Sequence, residues 1–273
     1  MAKVRLGIPD LLEARPLAWG FLRGHHDDLF VPRLYPAERV ADLLRDRDVD
    51  AALVSVTDLL HLEGIHMVPE LCVSVRGPSE LAMVQSPLPP GEGFTIAVEP
   101  STGAEAELVR LMWREEYGRD PELRRRPRLS AVPADCDAVM LCAEAALASA
   151  WKEPYRLRPT GWWQERTGLP FVSRVWAVRE DTRLPDLSFY LKSSLRYGLS
   201  SLDVLCREVA SPLGGRIHRW RRFLGDQLGY VLGRQEREGL SRFLDRWGEA
   251  GLPPERQGSA PGHAAIESGG LLE

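Results

Sequence analysis

The feature that most constrains this chain is Asp50-Ala51-Ala52-Leu53-Val54-Ser55-Val56, a near-continuous apolar run bounded by polar residues. A strand of that kind is buried on both faces, as in a parallel sheet covered by helices. A second such run lies at Ala138–Cys142. Further strands are read at Val4–Ile8, Leu71–Val75, Leu81–Val84, Phe94–Val98 and Phe171–Val178. Helical spacing appears between them, with Val40, Leu43 and Leu44 on one face and Leu108, Leu111 and Met112 on another. The segment Ser86–Gly93, SPLPPGEG, reads as a linker. From Pro185 onward the pattern is helical, closing on Leu240, Phe243, Leu244 and Trp247 at i, i+3, i+4, i+7.

Strand–helix units, a linker, a second strand–helix group, one returning strand and terminal helices together predict an α/β chain of two lobes. Lobe 1 is expected from residues 1–86 and 177–250, lobe 2 from 87–176, and 251–273 as a disordered tail. Ligands in such sheets bind at the carboxyl ends of strands, often between domains. That points to the turns after Ile8, Val54, Val75 and Val98.

Composition narrows the partners. A net charge of −4 argues against a nucleic acid, whose binding depends on phosphate neutralisation. The densest basic spot, Arg124-Arg125-Arg126, reads as a solvated loop. No stretch has the length of apolar sequence a membrane helix needs, and the N-terminus lacks a secretory h-region, so the cytoplasm is expected. The four cysteines form no CxxC pair and are expected to act as small buried hydrophobes. His25-His26 and His61…His66 lack a zinc-like ligand set, and no metal is expected.

Several longer pieces carry a family resemblance. They are Val49–Ser55, the Arg76-Gly77-Pro78 turn, Asp137–Leu141, Thr167-Gly168-Leu169-Pro170-Phe171-Val172 through Arg179, and Tyr230-Val231-Leu232-Gly233. Together they resemble the chorismate dehydratase of the futalosine route to menaquinone and its relatives. The resemblance implies the fold of type II periplasmic binding proteins, with the C-terminal helices on the first lobe. It also implies a cofactor-free loss of water from chorismate to give 3-[(1-carboxyvinyl)oxy]benzoate. In that family the site is supplied by an Asn in the first turn, serines around a Gly-Pro turn, and a Thr-Ser pair opening the second-lobe helix. Here the first turn reads Asp10-Leu11-Leu12-Glu13-Ala14-Arg15-Pro16, and the chain has no asparagine. Val75 and Leu81 fill the serine positions, Ala104-Glu105 the Thr-Ser pair, Ala143-Glu144 a Gly-Asp pair, and Ser173-Arg174 a Phe-Ala pair.

The residues singled out for ligand binding are Ser55, Arg76, Ser101, Thr102, Gly103 and Arg174. Arginine forks suit carboxylates; alternatively Arg15, Arg76 and Arg174 pair with Glu13, Glu105 and Glu144 and lace the lobes shut. Ser101-Thr102-Gly103 either cradles a carboxylate or simply caps a helix. Three readings follow: a chorismate dehydratase, a protein that binds a small carboxylate without chemistry, or a partner subunit. The oligomeric state is left open.

Overall fold

The computed structural model describes residues 2–91, 94–148, 153–213 and 217–249. The expected tail at 251–273 lies outside the described residues. The strands are β1 (Val4–Pro9), β2 (Phe30–Tyr35), β3 (Ala51–Ser55), β4 (Ile65–Val75), β5 (Met83–Ser86), β6 (Thr95–Val98), β7 (Glu122–Arg125), β8 (Ala138–Leu141), β9 (Tyr155–Leu157), β10 (Phe171–Arg179) and β11 (Leu228–Val231). The helices are α1 (Arg15–Leu22), α2 (Val40–Arg45), α3 (Val56–Leu59), α4 (Ala104–Tyr117), α5 (Ala143–Ala148), α6 (Pro159–Thr167), α7 (Leu187–Ser200), α8 (Leu202–Leu213), α9 (Ile217–Arg222) and α10 (Arg234–Glu249).

Two sheets result. The first has the order β11-β4-β10-β3-β1-β2, and the second β7-β6-β8-β5-β9. In the first, β1 pairs in parallel with β2 and β3, while β10 runs antiparallel to both β3 and β4. In the second, β6 is parallel to β7 and β8, and β5 is antiparallel to β8 and β9. Ala51–Ser55 is buried at every position, because β1 and β10 flank it and apolar clusters cover both its faces.

The chain enters the second sheet after Val75 and returns at Phe171. Met83–Ser86, expected in the first lobe, pairs in the second sheet, and Phe171–Arg179 belongs wholly to the first. The apolar run Leu81–Val84 marks a strand without saying which sheet receives it. A second correction concerns the C-terminal region, which is not all helical. Leu228–Val231 interrupts it as an edge strand on β4. Arg124-Arg125-Arg126, expected as a loop, begins in the edge strand β7, where Arg124 and Arg126 pair with Asp135.

The terminal helices pack on the first sheet, with α7 against α1 and α10 against β10. One hydrophobic cluster joins them to the second sheet's helices. It holds Leu6, Leu53, Phe171, Phe243 and Trp247 together with Ala104, Leu108, Ala143, Leu147 and Trp163. The lobes therefore share a core, and the space left between them is small.

Candidate functional site

At the carboxyl ends of β1, β6 and β8 the shared core gives way to a cavity of about 290 Å³. It is walled by the turn after β1 (Leu11–Glu13), the turn before α4 (Glu99, Ser101, Thr102), Glu105, the start of α5 (Cys142–Ala145) and Arg174 of β10. The residues reach it for local reasons. Leu12–Ala14 forms a short helical turn ahead of Pro16, which suits a first helical turn because it has no N–H to satisfy. Ala143 sits at φ 37°, in the left-handed region, and its N–H donates to the Glu80 carbonyl at 2.7 Å. That bond ties the end of β8 to the segment crossing between the sheets.

Three charged side chains meet at the centre. Arg174 is 3% exposed, Glu13 3% and Glu105 2%. Arg174 Nε lies 3.7 Å from Glu13 Oε1, and Nη2 lies 4.0 Å from Glu105 Oε2. Arg174 Nη2 donates to the Ser101 carbonyl at 2.9 Å. Glu13 comes from the first lobe, Glu105 from the second, and Arg174 from the strand that returns between them. Burial pushes the Glu13 carboxyl up to about 7; Arg174 opposes that shift, while Glu105 and Glu144 reinforce it. Glu144 is also raised, by burial and then by Asp10, with Arg15 opposing. The Cys142 thiol stands well above its usual value, for burial and for the neighbouring Glu105 and Glu13.

Of the residues singled out from the sequence, Ser101, Thr102 and Arg174 line the cavity. Thr102 spends its hydroxyl locally, donating to the Glu99 carbonyl at 2.6 Å. Ser55 and Gly103 lie behind the wall. The Ser55 hydroxyl accepts the Ala104 N–H at 2.9 Å and is bonded to the Thr57 hydroxyl at 2.9 Å. Ser55 thus satisfies a first-turn donor of α4 from the opposite lobe. Gly103 is required by that contact, since a Cβ there would lie 2.8 Å from Ser55 Cβ and closer still to its oxygen.

Arg76 is a correction: it is exposed and donates to Gln235 of α10, away from the cavity. It follows the last residue of β4, where the chain already turns toward the crossing, so its side chain leaves the interior. Arg15 pairs with Asp10 rather than with a glutamate. Cys142, expected as a small buried hydrophobe, lines the cavity. Glu99 and Arg128 had no signal in the sequence beyond their charge. Among the described residues no group of His, Cys, Asp or Glu is arranged to hold a metal ion, and no helix is long and apolar enough to cross a membrane.

Comparison with known proteins agrees with this architecture. The family model for menaquinone biosynthesis matches residues 4–249. The chain belongs to the menaquinone-biosynthesis family. A curated relative, the chorismate dehydratase of Thermus thermophilus, is 27% identical over 268 residues, covering 89% of this chain and 94% of that protein. Among solved structures, a protein from Archaeoglobus fulgidus superposes with a TM-score of 0.75 at 16% identity, over 92% of this chain and 98% of that one. The alkanesulfonate-binding protein SsuA from Xanthomonas axonopodis pv. citri, solved with MOPS bound, superposes with a TM-score of 0.60 at 13% identity, over 93% and 95%. A Candida albicans protein described as having the generic periplasmic-binding-protein fold gives 0.55 at 10%, over 93% and 92%. The two-lobed, periplasmic-binding-protein-like fold expected from the sequence is thereby shown, and this member of the family keeps it with a charged cluster at the lobe boundary.

Proposed function

We propose that this protein binds a small ligand between its lobes and does not dehydrate chorismate. The observation that carries this reading is the buried Glu13–Arg174–Glu105 cluster. Chorismate is a dicarboxylate, and a site for it needs donors facing inward. The cavity is lined instead by four glutamates, Glu13, Glu99, Glu105 and Glu144, against two arginines, Arg128 and Arg174. Arg128 is exposed at the rim, and Arg174 already stands between two carboxyls. A further carboxylate placed there would lie beside like charge in a poorly solvated space. The α4 N-terminus, the natural anion cradle of such a lobe, has one of its N–H groups taken by Ser55.

A second reading, chorismate dehydration, is supported by the similarity to the Thermus thermophilus enzyme along 94% of its length. Glu13, raised to about 7, would then be the cavity group poised to take the ring proton and pass it to the departing hydroxyl, which leaves as water. Titration calorimetry with chorismate separates the two. The first reading expects no heat of binding to the purified protein; saturable binding of chorismate would overturn it.

A further inference from the structure

The three charged groups at the lobe boundary are sealed from water and out of balance. Glu13 Oε2, both oxygens of Glu105 and Arg174 Nε are buried and have no hydrogen-bond partner among the described residues. Arg174 Nε stands 3.7 Å from Glu13 Oε1, and Nη2 stands 4.0 Å from Glu105 Oε2, both beyond hydrogen-bond range. Two carboxylates against one guanidinium leave a surplus negative charge, which is costly where water is excluded. A single proton removes it. The cluster also spans the seam between the lobes. Glu13 comes from the turn after β1, Arg174 from β10 of the same sheet, and Glu105 from the first turn of α4. Beside Glu105, the Ala104 N–H donates to the Ser55 hydroxyl across that seam. The ties farther along α4 avoid the cluster: Glu107 accepts the Trp247 indole N–H, and Glu115 pairs with Arg246.

We infer that Glu13, Arg174 and Glu105 form a proton-operated latch: with one proton bound the set is neutral and the seam stays closed, and when the proton leaves, the seam opens at the first turn of α4 and water reaches the carboxyls. Glu13 takes that proton, because burial raises it to about 7, with Glu105 and Glu144 of α5 reinforcing the shift and Arg174 opposing it. Cys142 at the end of β8 and Tyr230 of β11 also face it, and burial holds both well above their usual values, so they stay neutral. Asp10 and Arg15, flanking its own turn, pair with each other. An acid raised in the closed state stabilises that state fully below pH 4.5 and ceases to as pH rises through about 7. Once the seam is open to water, Glu13 regains its ordinary 4.5, so opening should become about tenfold more frequent between pH 6 and pH 8. The latch operates whether or not the cavity accepts chorismate.

The test is amide hydrogen exchange of the whole protein, followed by NMR from pH 6 to pH 8 and corrected for the intrinsic rate at each pH. The Ala104 amide reports the seam, and the Leu53 and Val54 amides of the buried strand β3 report global unfolding. Ala104 should be less protected than Leu53 and Val54, and its protection should fall about tenfold over this range. In Glu13→Gln its protection should be independent of pH. If that variant does not fold, Glu105→Gln serves in its place, since it leaves Arg174 a single carboxyl and should flatten the profile too. A flat profile in the parent, or the same fall in the variants, overturns the inference. So does Ala104 protection equal to that of Leu53 and Val54, because the seam would then open only when the whole chain unfolds.

Discussion

Replacing Glu13 by glutamine removes one titrating proton from the lobe boundary without changing its shape. The carboxyl is raised from 4.5 to about 7 in the folded protein, chiefly because it is buried. The folded state therefore holds the Glu13 proton more tightly than the unfolded chain does. Its contribution to stability is complete below pH 4.5, declines as pH rises, and is lost above about pH 7. The separation corresponds to about 3 kcal/mol in all, at 1.36 kcal/mol per unit. Most of that falls between pH 5 and pH 8, so the expected difference across this interval is about 2–3 kcal/mol. In Glu13→Gln the loss cannot occur. The variant should gain on the parent by that amount between pH 5 and pH 8, whatever constant offset follows from giving Arg174 one carboxyl fewer. Urea unfolding of both proteins at half-unit pH steps measures it. Parallel stability profiles, within about 0.5 kcal/mol throughout, would refute the claim that Glu13 titrates in a buried site.

Arg174→Met leaves Glu13 and Glu105 buried without a cation and should cost about 3–5 kcal/mol in urea unfolding. Adding Glu13→Gln and Glu105→Gln to Arg174→Met should recover most of that loss, because the neutral set buries no unpaired charge. Gly103→Ala forces a Cβ onto Ser55 across the lobe boundary and should cost about 1–3 kcal/mol; in a Ser55→Gly background the cost should fall, as the obstructing atoms are gone, and a thermal melt of the double variant reads this. Ser55→Ala alone removes the acceptor of the Ala104 N–H and should cost about 1 kcal/mol by the same measurement.

The central strands were legible because their burial is written in their own residues. Ala51–Ser55 and Ala138–Leu141 are apolar almost throughout, and Phe171–Arg179 alternates enough apolar residues to be read as a strand despite Ser173 and Arg174. The edge strands were not. Phe30–Tyr35 contains a proline and an arginine, and Glu122–Arg125 is almost wholly charged. Each is a strand because a neighbour, β1 or β6, offers it a free row of backbone groups, and that is a property of the neighbour. Leu228–Val231 escaped notice for the same reason, as an edge strand set among helices.

At the site, the sequence identified Arg174 and named Glu13 and Glu105 as candidate ion-pair partners, because charged residues occupied turns expected to face the cleft. It could not assign Arg15 to Asp10 or Arg76 to Gln235, since long side chains choose partners by where their backbones leave the sheet. Nor could it show that the Ser55 hydroxyl is consumed by the opposite lobe's helix, a contact between positions 49 residues apart.

The most direct test of the account is a long incubation of chorismate with the purified protein in large excess over trace contaminants, with the aromatic enol ether followed by chromatography. The buried glutamates at the lobe boundary predict no product above the buffer control. Formation of 3-[(1-carboxyvinyl)oxy]benzoate in proportion to protein, abolished by Glu13→Gln, would contradict it and make Glu13 a general base.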